Sequence, residues 1–304
     1  MKSALLVALV LLTASYLAVW VRSVGRAGGR GPSGELPPPG GRHLLIGFVT
    51  NFFDTLGIGS FATTTSLFRF LRLVPDELIP GTLNVGHTTP SVTQALIYIV
   101  IVSVAMPTLA SMIAAAVAGA WLGAGVVSRW SRARVQLGMG SALLAAAGLM
   151  LMSQLGLVPV GGTALALSGG RLAIGVGVNF LLGALMTLGI GLYAPCMVLV
   201  SLLGMDPTAA FPIMMGSCAF LMPVGSMRFI REGRYALTAA VGLAVGGIPG
   251  VLLAAYGVRK LPLSAVRWLV IVVVVYTSLS LLRAAYRERA AAAPATAVPG
   301  PEAA

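Results

Sequence analysis

Apolar residues recur along almost the whole chain in segments long enough to cross a lipid bilayer, with short polar stretches between them. A hydrocarbon core of about 30 Å needs roughly 20 apolar residues when it is crossed by a helix. Backbone amides and carbonyls in lipid must bond to each other, which favours helices. We therefore predict an all-α polytopic membrane protein, with spans at about 4–21, 89–106, 108–128, 135–155, 208–227, 236–257 and 264–282.

Two further apolar segments, His43–Leu73 and Arg171–Leu203, are too long to cross as one straight helix. A helix of about 31 residues rises ~46 Å, well beyond the hydrocarbon thickness. Each segment contains the tetrapeptide Leu-Gly-Ile-Gly, at 56–59 and again at 188–191. Divided at these glycines, each segment gives two short helices of about 20 Å, which pass the bilayer centre and return. The pattern thus predicts two broken helices.

The two tetrapeptides belong to an internal duplication at an offset of 132 residues, which also pairs Pro75 with Pro207 and Pro80 with Pro212. Glycine and proline constrain the backbone, so these matches are more specific than matches of Leu or Ala. The first apolar run is longer than a signal-peptide core and has no cleavage site after it, which favours an uncleaved helix over a signal peptide. The predicted organisation is an N-terminal membrane helix (1–22), a flexible linker (23–42), a first repeat (43–155), a loop (156–170), a second repeat (171–284) and a tail of disordered composition (285–304).

The arginines indicate how the broken helices cross. If both are re-entrant hairpins and the loop with Arg129, Arg132 and Arg134 is cytoplasmic, fifteen of the twenty basic residues lie inside. If each broken helix crosses once, only nine do. Cytoplasmic loops carry an excess of Lys and Arg, so hairpins are favoured. Each repeat then has one hairpin and three spans, an odd number of crossings, which predicts two inverted repeats.

Composition excludes several classes of function. The chain is 58% hydrophobic and 9% charged, and its net charge of +12 is spread singly between apolar segments. Such residues are topology signals, and no nucleic-acid-binding motif is present. The sequence has no HExxH, GxSxG or Walker motif and no His, Cys, Asp and Glu cluster with metal spacing. We expect no enzyme activity, cofactor or bound metal, and two packed thiols at Cys196 and Cys218.

The candidate binding site is formed by the turns that interrupt the two broken helices. After Gly57 and Gly59, the first amides of the second half-helix, from Ser60 on, would lack intrahelical partners and attract an anion. Hydroxyls crowd this first turn, although membrane Ser and Thr often bond to their own helix. The matching turn of the second repeat has a proline suited to a helix start. The candidate binding residues of these two turns are Gly57, Gly59, Ser60, Thr63, Thr64, Thr65, Gly189, Gly191, Tyr193 and Cys196.

Three further polar residues are candidates for the site. Asp54 is the only acid well inside an apolar segment, and an intramembrane carboxylate is by default a functional candidate for proton or cation coupling. It could instead cap the adjacent half-helix or stay protonated. Asn84 and His87 lie in Gly81–Pro90, a polar stretch that either lines the path or forms an ordinary interfacial turn.

The segment from His43 to Ser60, followed by Pro80-Gly-Thr-Leu-Asn-Val-Gly-His-Thr-Thr-Pro90, resembles the first repeat of the sulfite exporter TauE/SafE family of membrane permeases. The second Leu-Gly-Ile-Gly and the glycine-rich span at 242–250 resemble its second repeat. The resemblance covers about residues 43–284. It implies a permease of small sulfur-containing or organic anions in the bacterial inner membrane. The chain departs from the commoner Gly-Gly-Gly turn at Ser60 and Leu192.

The sequence and the resemblance together predict a secondary transporter that moves a small anion (sulfite, a sulfonate or a related organic anion) across the lipid bilayer by alternating access. Two alternatives from other classes stay open. One is an integral-membrane assembly factor or enzyme, and the other is a cation- or proton-coupled pathway centred on Asp54. A homo-oligomer is compatible with the sequence.

Overall fold

The computed structural model describes residues 2–26, 40–158, 161–189, 191–257 and 264–292, and every regular element in these ranges is helical. Short 3₁₀ turns at Asp76–Leu78 and Pro207–Ala209 precede α4 and α9, and a π-helical turn at Leu253–Gly257 extends α10. The helices are α1 (Lys2–Arg26), α2 (Gly41–Thr55), α3 (Ser60–Phe70), α4 (Ile79–Ile101), α5 (Met106–Val127), α6 (Arg132–Gln154), α7 (Gly169–Met186), α8 (Tyr193–Leu202), α9 (Ala210–Arg231), α10 (Leu237–Leu252) and α11 (Ser264–Ala292).

Seven of the described helices are long and apolar enough to cross a membrane, so the prediction of an all-α, multi-pass membrane protein is confirmed. They are α1, α5, α6, α7, α9, α10 and α11. α4 is not among them although its 23 residues would rise about 34 Å. It carries Asn84, His87 and Gln94, and most of its residues are buried by other helices. This helix, with its polar side chains, is therefore largely enclosed by other helices.

The order of elements is repeated along the chain. The series α2, α3, 3₁₀ turn, α4, α5 and α6 is followed by α7, α8, 3₁₀ turn, α9, α10 and α11. Packing partners are exchanged between the two halves: α2 packs on α10, and its counterpart α7 packs on α5. The counterparts α4 and α9 pack on each other, as do α6 and α11. The two halves are thus intertwined around one core.

The counterparts α4 and α9 run antiparallel. Gly81, near the start of α4, lies beside Phe229 near the end of α9, whereas Ile99 near the end of α4 lies beside Gly216 near the start of α9. The pair α6 and α11 runs antiparallel as well, because hydrogen bonds join Gln154 to Ser264 and Ser278 to Gly140. These two pairs of equivalent helices are therefore antiparallel.

Glycine allows α2 to pack closely along α10. A Cβ added at Gly47 would lie 2.7 Å from the carbonyl oxygen of Gly242, and one at Gly246 or Gly250 would meet the carbonyl of Leu44 or Phe48. Small residues at every fourth position allow such close approach between membrane helices. Residue numbers rise together along both helices, so α2 and α10 are parallel. This contact fixes the first arm of the first broken helix.

Both ends of the α2–α3 segment lie at one end of the bundle. α2 begins beside the start of α10, where the backbone N–H of Ala236 donates to Thr82 Oγ1 near the start of α4. α3 ends beside the same start of α4, because Arg69 forms an ion pair with Asp76. We call this end the arginine-rich face, since the chain between α5 and α6 and the end of α9 also lie there, joined by a hydrogen bond from Arg234 to the Trp130 carbonyl.

Both ends of the α7–α8 segment lie together at the opposite end. The backbone N–H of Asp206, just after α8, donates to the carbonyl of Ala164, just before α7. The N–H of Ala105 at the start of α5 donates to Leu165 O, and Leu167 N–H donates to Thr108 Oγ1. The loop predicted at 156–170 is thus tied to its neighbours where the structure describes it.

Four boundaries observed in the structure differ from those expected from the sequence. The stretch Gly81–Pro90 is helical, being the first half of α4, and the expected span at 89–106 instead covers 79–101. α1 reaches Arg26, beyond the predicted end at 22, and α11 continues to Ala292, into the predicted tail. Most of the linker (27–39) and the last part of the tail (293–304) fall outside the described residues.

Candidate functional site

Glycine turns interrupt both broken helices where the sequence predicts them. α2 ends at Thr55 and α3 begins at Ser60, and Gly57 and Gly59 between them have φ angles of 93° and 90°. The N–H of Ile58 donates to Phe53 O and that of Gly57 donates to Asp54 O, which is the Schellman pattern of a helix end. In the second turn Gly189 also has a φ of 93°. These left-handed conformations favour glycine because it has no Cβ.

Asp54 caps the second half of its own broken helix. Its Oδ1 accepts the backbone N–H of Ser60 at 2.7 Å, and its Oδ2 accepts Nε2 of Gln94 at 2.9 Å. Gln94 Nε2 also donates to Thr55 Oγ1, and Tyr98 on the same helix α4 donates to Thr55 O. The Ser60 amide, which was expected to lack a partner within its own helix, thus bonds to a carboxylate three residues before the glycine turn. Capping was one of the alternatives considered for Asp54.

The two turns meet at a cavity of about 20 Å³, which they line together with the central helices. Gly59, Ser60 and Phe61 line it from the first turn, and Gly191 and Leu192 line it from the second. Ser91 and Gln94, near the middle of α4, form a third wall. This volume is enough for about one water molecule. The site is thus closed in this conformation to an anion of several atoms.

The walls of the cavity differ sharply in chemistry. One side has a carboxylate, hydroxyls and an amide, from Asp54, Ser60, Ser91 and Gln94. The other is formed by sulfur-containing side chains, in which Cys218 Sγ donates to Met186 Sδ at 3.7 Å. The remaining sulfur-containing residues on this side are Met214 and Met215 of α9. Met186 is the counterpart of Asp54 in the duplication, so the polar wall belongs to the first repeat alone.

Several predicted site residues do not reach this cavity. Thr63 donates to the carbonyls of Gly59 and Ser60, and Asn84 Nδ2 donates to Pro80 O, so both bond within their own helix. Thr65 Oγ1 is buried and finds no hydrogen-bond partner in the described part of the chain. Cys196 is fully buried in α8, outside the cavity lining. Gly57 and Gly189 shape the turns without lining the cavity, and of Tyr193 only the backbone is described.

His87 connects the two arms of the first broken helix to α4. Its Nδ1 lies 3.1 Å from Asn51 Oδ1 on α2, and its Nε2 lies 3.0 Å from Thr64 Oγ1 on α3. The ring also packs on Phe61, with centroids 5.5 Å apart. Because α2, α3 and α4 all contribute, this buried network holds the shape of the turn from behind the cavity. Asn51 was not singled out by the sequence.

No family model, no curated protein and no solved structure matches this chain. The site must therefore be interpreted from its own geometry. Two residues that the sequence missed, Ser91 and Gln94, are polar side chains three positions apart within a predicted span, and that pattern was visible. The sulfur-containing wall had no comparable signal, because Met and Cys in apolar segments are ordinary packing residues. Among the described residues, no three of His, Cys, Asp and Glu are grouped so as to hold a metal ion.

Proposed function

We propose that this protein is a secondary transporter of a small anion, with its substrate site at the cavity where the two broken helices meet. The observation that carries the proposal is this meeting of two glycine-broken helices, one from each half of a duplicated chain, at one cavity beside the middle of α4. Substrate sites of secondary transporters typically lie near the bilayer midplane, between repeats and at discontinuous helices.

Inverted repeats are part of this proposal. They are supported by the antiparallel packing of α4 on α9 and of α6 on α11, because equivalent helices of parallel repeats would run the same way. They are supported also by each broken segment having both ends at one end of the bundle, the first at the arginine-rich face and the second at the other. By the excess of arginine, the arginine-rich face would be cytoplasmic.

The second turn is the better binding position for an anion. The N-terminus of α3 is already compensated by the Asp54 carboxylate, whereas α8 has no side-chain cap at its N-cap residue Leu192. A helix N-terminus carries about +0.5 of an elementary charge. Leu192 and Gly191 line the cavity, so the backbone at the start of α8 would face the substrate. We therefore assign anion binding chiefly to the second turn and not to the hydroxyls of Thr63–Thr65.

Asp54 would couple a proton to the anion. Two helix N-termini of about +0.5 each and one carboxylate leave the empty site nearly neutral. A monoanion about 5 Å from ionised Asp54 would be repelled by roughly 3 kcal/mol at an effective dielectric constant near 20. A proton on Asp54 removes that repulsion and restores neutrality. Anion and proton would therefore bind together, in a conformation whose cavity is larger than the one of about 20 Å³ seen here.

The resemblance to the TauE/SafE permeases supports sulfite or a sulfonate as the first substrates to test and the bacterial inner membrane as the location. Purified protein in liposomes should show saturable counterflow of radiolabelled sulfite. Asp54→Asn should keep transport but flatten its pH dependence, and Glu232→Gln, at the arginine-rich face, is the matched control. Folded protein that moves neither sulfite, a sulfonate nor another small organic anion would refute anion transport, and an unchanged pH profile in Asp54→Asn would refute the proton role.

A cation pathway is the second candidate, because Asp54 lines the cavity together with Ser91 and Gln94. Oxygen ligands of this kind suit Na⁺ or a proton. The two functions differ in one measurement on the same liposomes. A cation pathway gives a current that depends on Na⁺ or H⁺ with no transportable anion present, whereas coupled anion transport requires the anion.

A further inference from the structure

A groove runs along the outside of the bundle between α3 and α11. Its deep part is a cleft of about 210 Å³ with an apolar surface, between Val49 and Phe53 of α2, the turn residue Ile58, and Val270 and its neighbours on α11. It adjoins the first glycine turn at Ile58 and shares no lining residue with the substrate cavity. Among the described residues, no side chain fills this cleft.

The cleft continues into a wider cavity of about 780 Å³ toward the arginine-rich face. Leu67 and Val273 line both parts, so the two are continuous. The wider part is amphipathic, with Tyr276, Ser280 and two arginines on its walls. The apolar and the basic ends of the groove are thus separated along its length.

Among the described residues that line this cavity, Arg72 is the cationic residue whose side chain forms no ion pair or hydrogen bond. The other arginine, Arg69, is engaged by Asp76 and also donates to Ser280 Oγ at 3.0 Å. Arg72 is exposed just after the end of α3, and its φ of 52° is the only positive value among the described residues other than glycine. That conformation closes the helix, its N–H donating to Arg69 O at 3.2 Å. Arg72 thus lines the wider part of the groove at the end of α3, toward the arginine-rich face.

The length of the groove corresponds to one leaflet of a bilayer. Its lining residues on α11 extend from Val266 to Ser280, a helical rise of about 21 Å. A bilayer measures about 40–45 Å with its headgroup regions, so one leaflet takes roughly half of that. An apolar depth and a basic mouth over this distance match a lipid with an anionic headgroup.

We propose that the groove between α3 and α11 binds one anionic phospholipid, with an acyl chain in the cleft and the phosphate at Arg72. This site is separate from the substrate cavity and does not depend on the proposed transport function. A second copy of the chain fits the groove less well, because the deep cleft is narrow and apolar while its mouth is cationic. Basic pockets between membrane helices on the cytoplasmic side characteristically bind lipid headgroups.

The test uses the full-length protein, delipidated in a neutral detergent and titrated with phosphatidylglycerol or with phosphatidylcholine of the same acyl chains. Native mass spectrometry counts bound lipids and reports the oligomeric state, and thermal unfolding reports stabilisation, since a ligand that binds the folded state raises the melting temperature. We expect one phosphatidylglycerol per chain to bind in preference to phosphatidylcholine. Inorganic phosphate alone should give no stabilisation.

Two variants and two controls locate the site. Arg72→Asn removes the charge with a residue that tolerates positive φ and should weaken phosphatidylglycerol binding about fivefold. Val273→Trp, at a residue 39% exposed, should fill the groove and abolish the bound lipid. Arg134→Gln on α6 and Val100→Trp, at an exposed position near the end of α4, are the matched controls and should bind as wild type does.

Four outcomes would overturn the proposal. Equal binding of both lipids would show that the site does not recognise the headgroup. Stabilisation by phosphate alone would indicate a site for the free ion. Unchanged lipid binding in both Arg72→Asn and Val273→Trp would show that the lipid binds elsewhere on the protein. If Arg72→Asn fails to fold, Val273→Trp against Val100→Trp still decides, and a dimer that only Val273→Trp disrupts would assign the groove to a second copy.

Discussion

Close packing of α7 on α5 can be tested with two glycines on one helix. A Cβ added at Gly183 would lie 2.7 Å from Cα and 2.8 Å from the carbonyl carbon of Ala116, and closer still to its oxygen. A Cβ added at Gly177, on the same helix, would meet nothing within 4 Å. Gly183→Ala and Gly177→Ala are therefore the same chemical change with opposite surroundings.

The cost at Gly183 follows from the distances. Ordinary contact begins at 3.4 Å, so the helices must separate by more than about 0.7 Å, the shortfall measured to Ala116 Cα alone, to accommodate the methyl group. Because the obstacle is backbone, no rotamer change relieves it, and overpacking of this kind costs about 1–3 kcal/mol. At Gly177 the only effect is the better helix propensity of alanine, worth up to roughly 1 kcal/mol in the stabilising direction.

The assay is thermal unfolding of the purified full-length protein in detergent, followed by transport in liposomes. We expect Gly183→Ala to melt several degrees below wild type, and Gly177→Ala to melt at or above it. Met186, on the cavity wall, follows Gly183 by three residues, so Gly183→Ala should also slow transport. A Gly183→Ala protein as stable as wild type would show that α7 does not pack on α5 at this distance.

Three further predictions concern the supports of the site. His87→Ala removes two hydrogen bonds in a buried network and should lower the free energy of unfolding by about 2 kcal/mol or more. His87→Gln should lose less in the same melting assay. A His87→Ala protein that melts at the same temperature as His87→Gln would contradict the network. Asp76→Asn leaves a largely buried arginine without its ion-pair partner and should lower the free energy of unfolding by about 1–3 kcal/mol. Glu77→Gln, whose partner is half-exposed, should lower it by less than about 1 kcal/mol. Similar losses of stability in the two variants would contradict this ranking. Cysteines introduced at Gly41 and Leu71 should both react with a membrane-impermeant maleimide from one side of sealed vesicles, and labelling from opposite sides would exclude a hairpin.

The helix breaks were predictable because glycine and proline restrict the backbone wherever they occur. Gly57 and Gly189 take left-handed conformations that other residues rarely adopt, and the sequence locates both turns to within a few residues. The same rule misled at Gly81–Pro90, where glycines indicated a turn. In this stretch a Cβ added at Gly81 would collide with the end of α9, and one added at Gly86 would collide with α10. These glycines therefore allow close packing inside a continuous helix.

The candidate site was only partly predictable, because its two walls have different origins. Asp54, Gly59 and Ser60 are close in sequence to a recognisable turn, and their meeting is local. The sulfur-containing wall is brought there by packing of α9 against α4 and by the end of α7, which no spacing in the sequence encodes. The capping role of Asp54 depends on its rotamer and on Gln94 of another helix. Such choices are made by tertiary structure.

The packing of the helices also indicates which parts would move if the chain is a transporter. Close contacts join α2 to α10, α10 to α4, α4 to α9, α9 to α5 and α5 to α7, forming one connected scaffold. The pair α6 and α11 packs mainly on itself and on the short second arms α3 and α8. Movement of this pair relative to the scaffold would therefore act on the two arms whose first turns close the cavity.

The proposed lipid groove lies on the boundary between the moving pair and the scaffold, with α11 on one side and α2 and α3 on the other. A lipid held there would occupy the space into which α11 moves, so the rate of transport should depend on the anionic lipid content of the membrane even though the lipid never enters the substrate site.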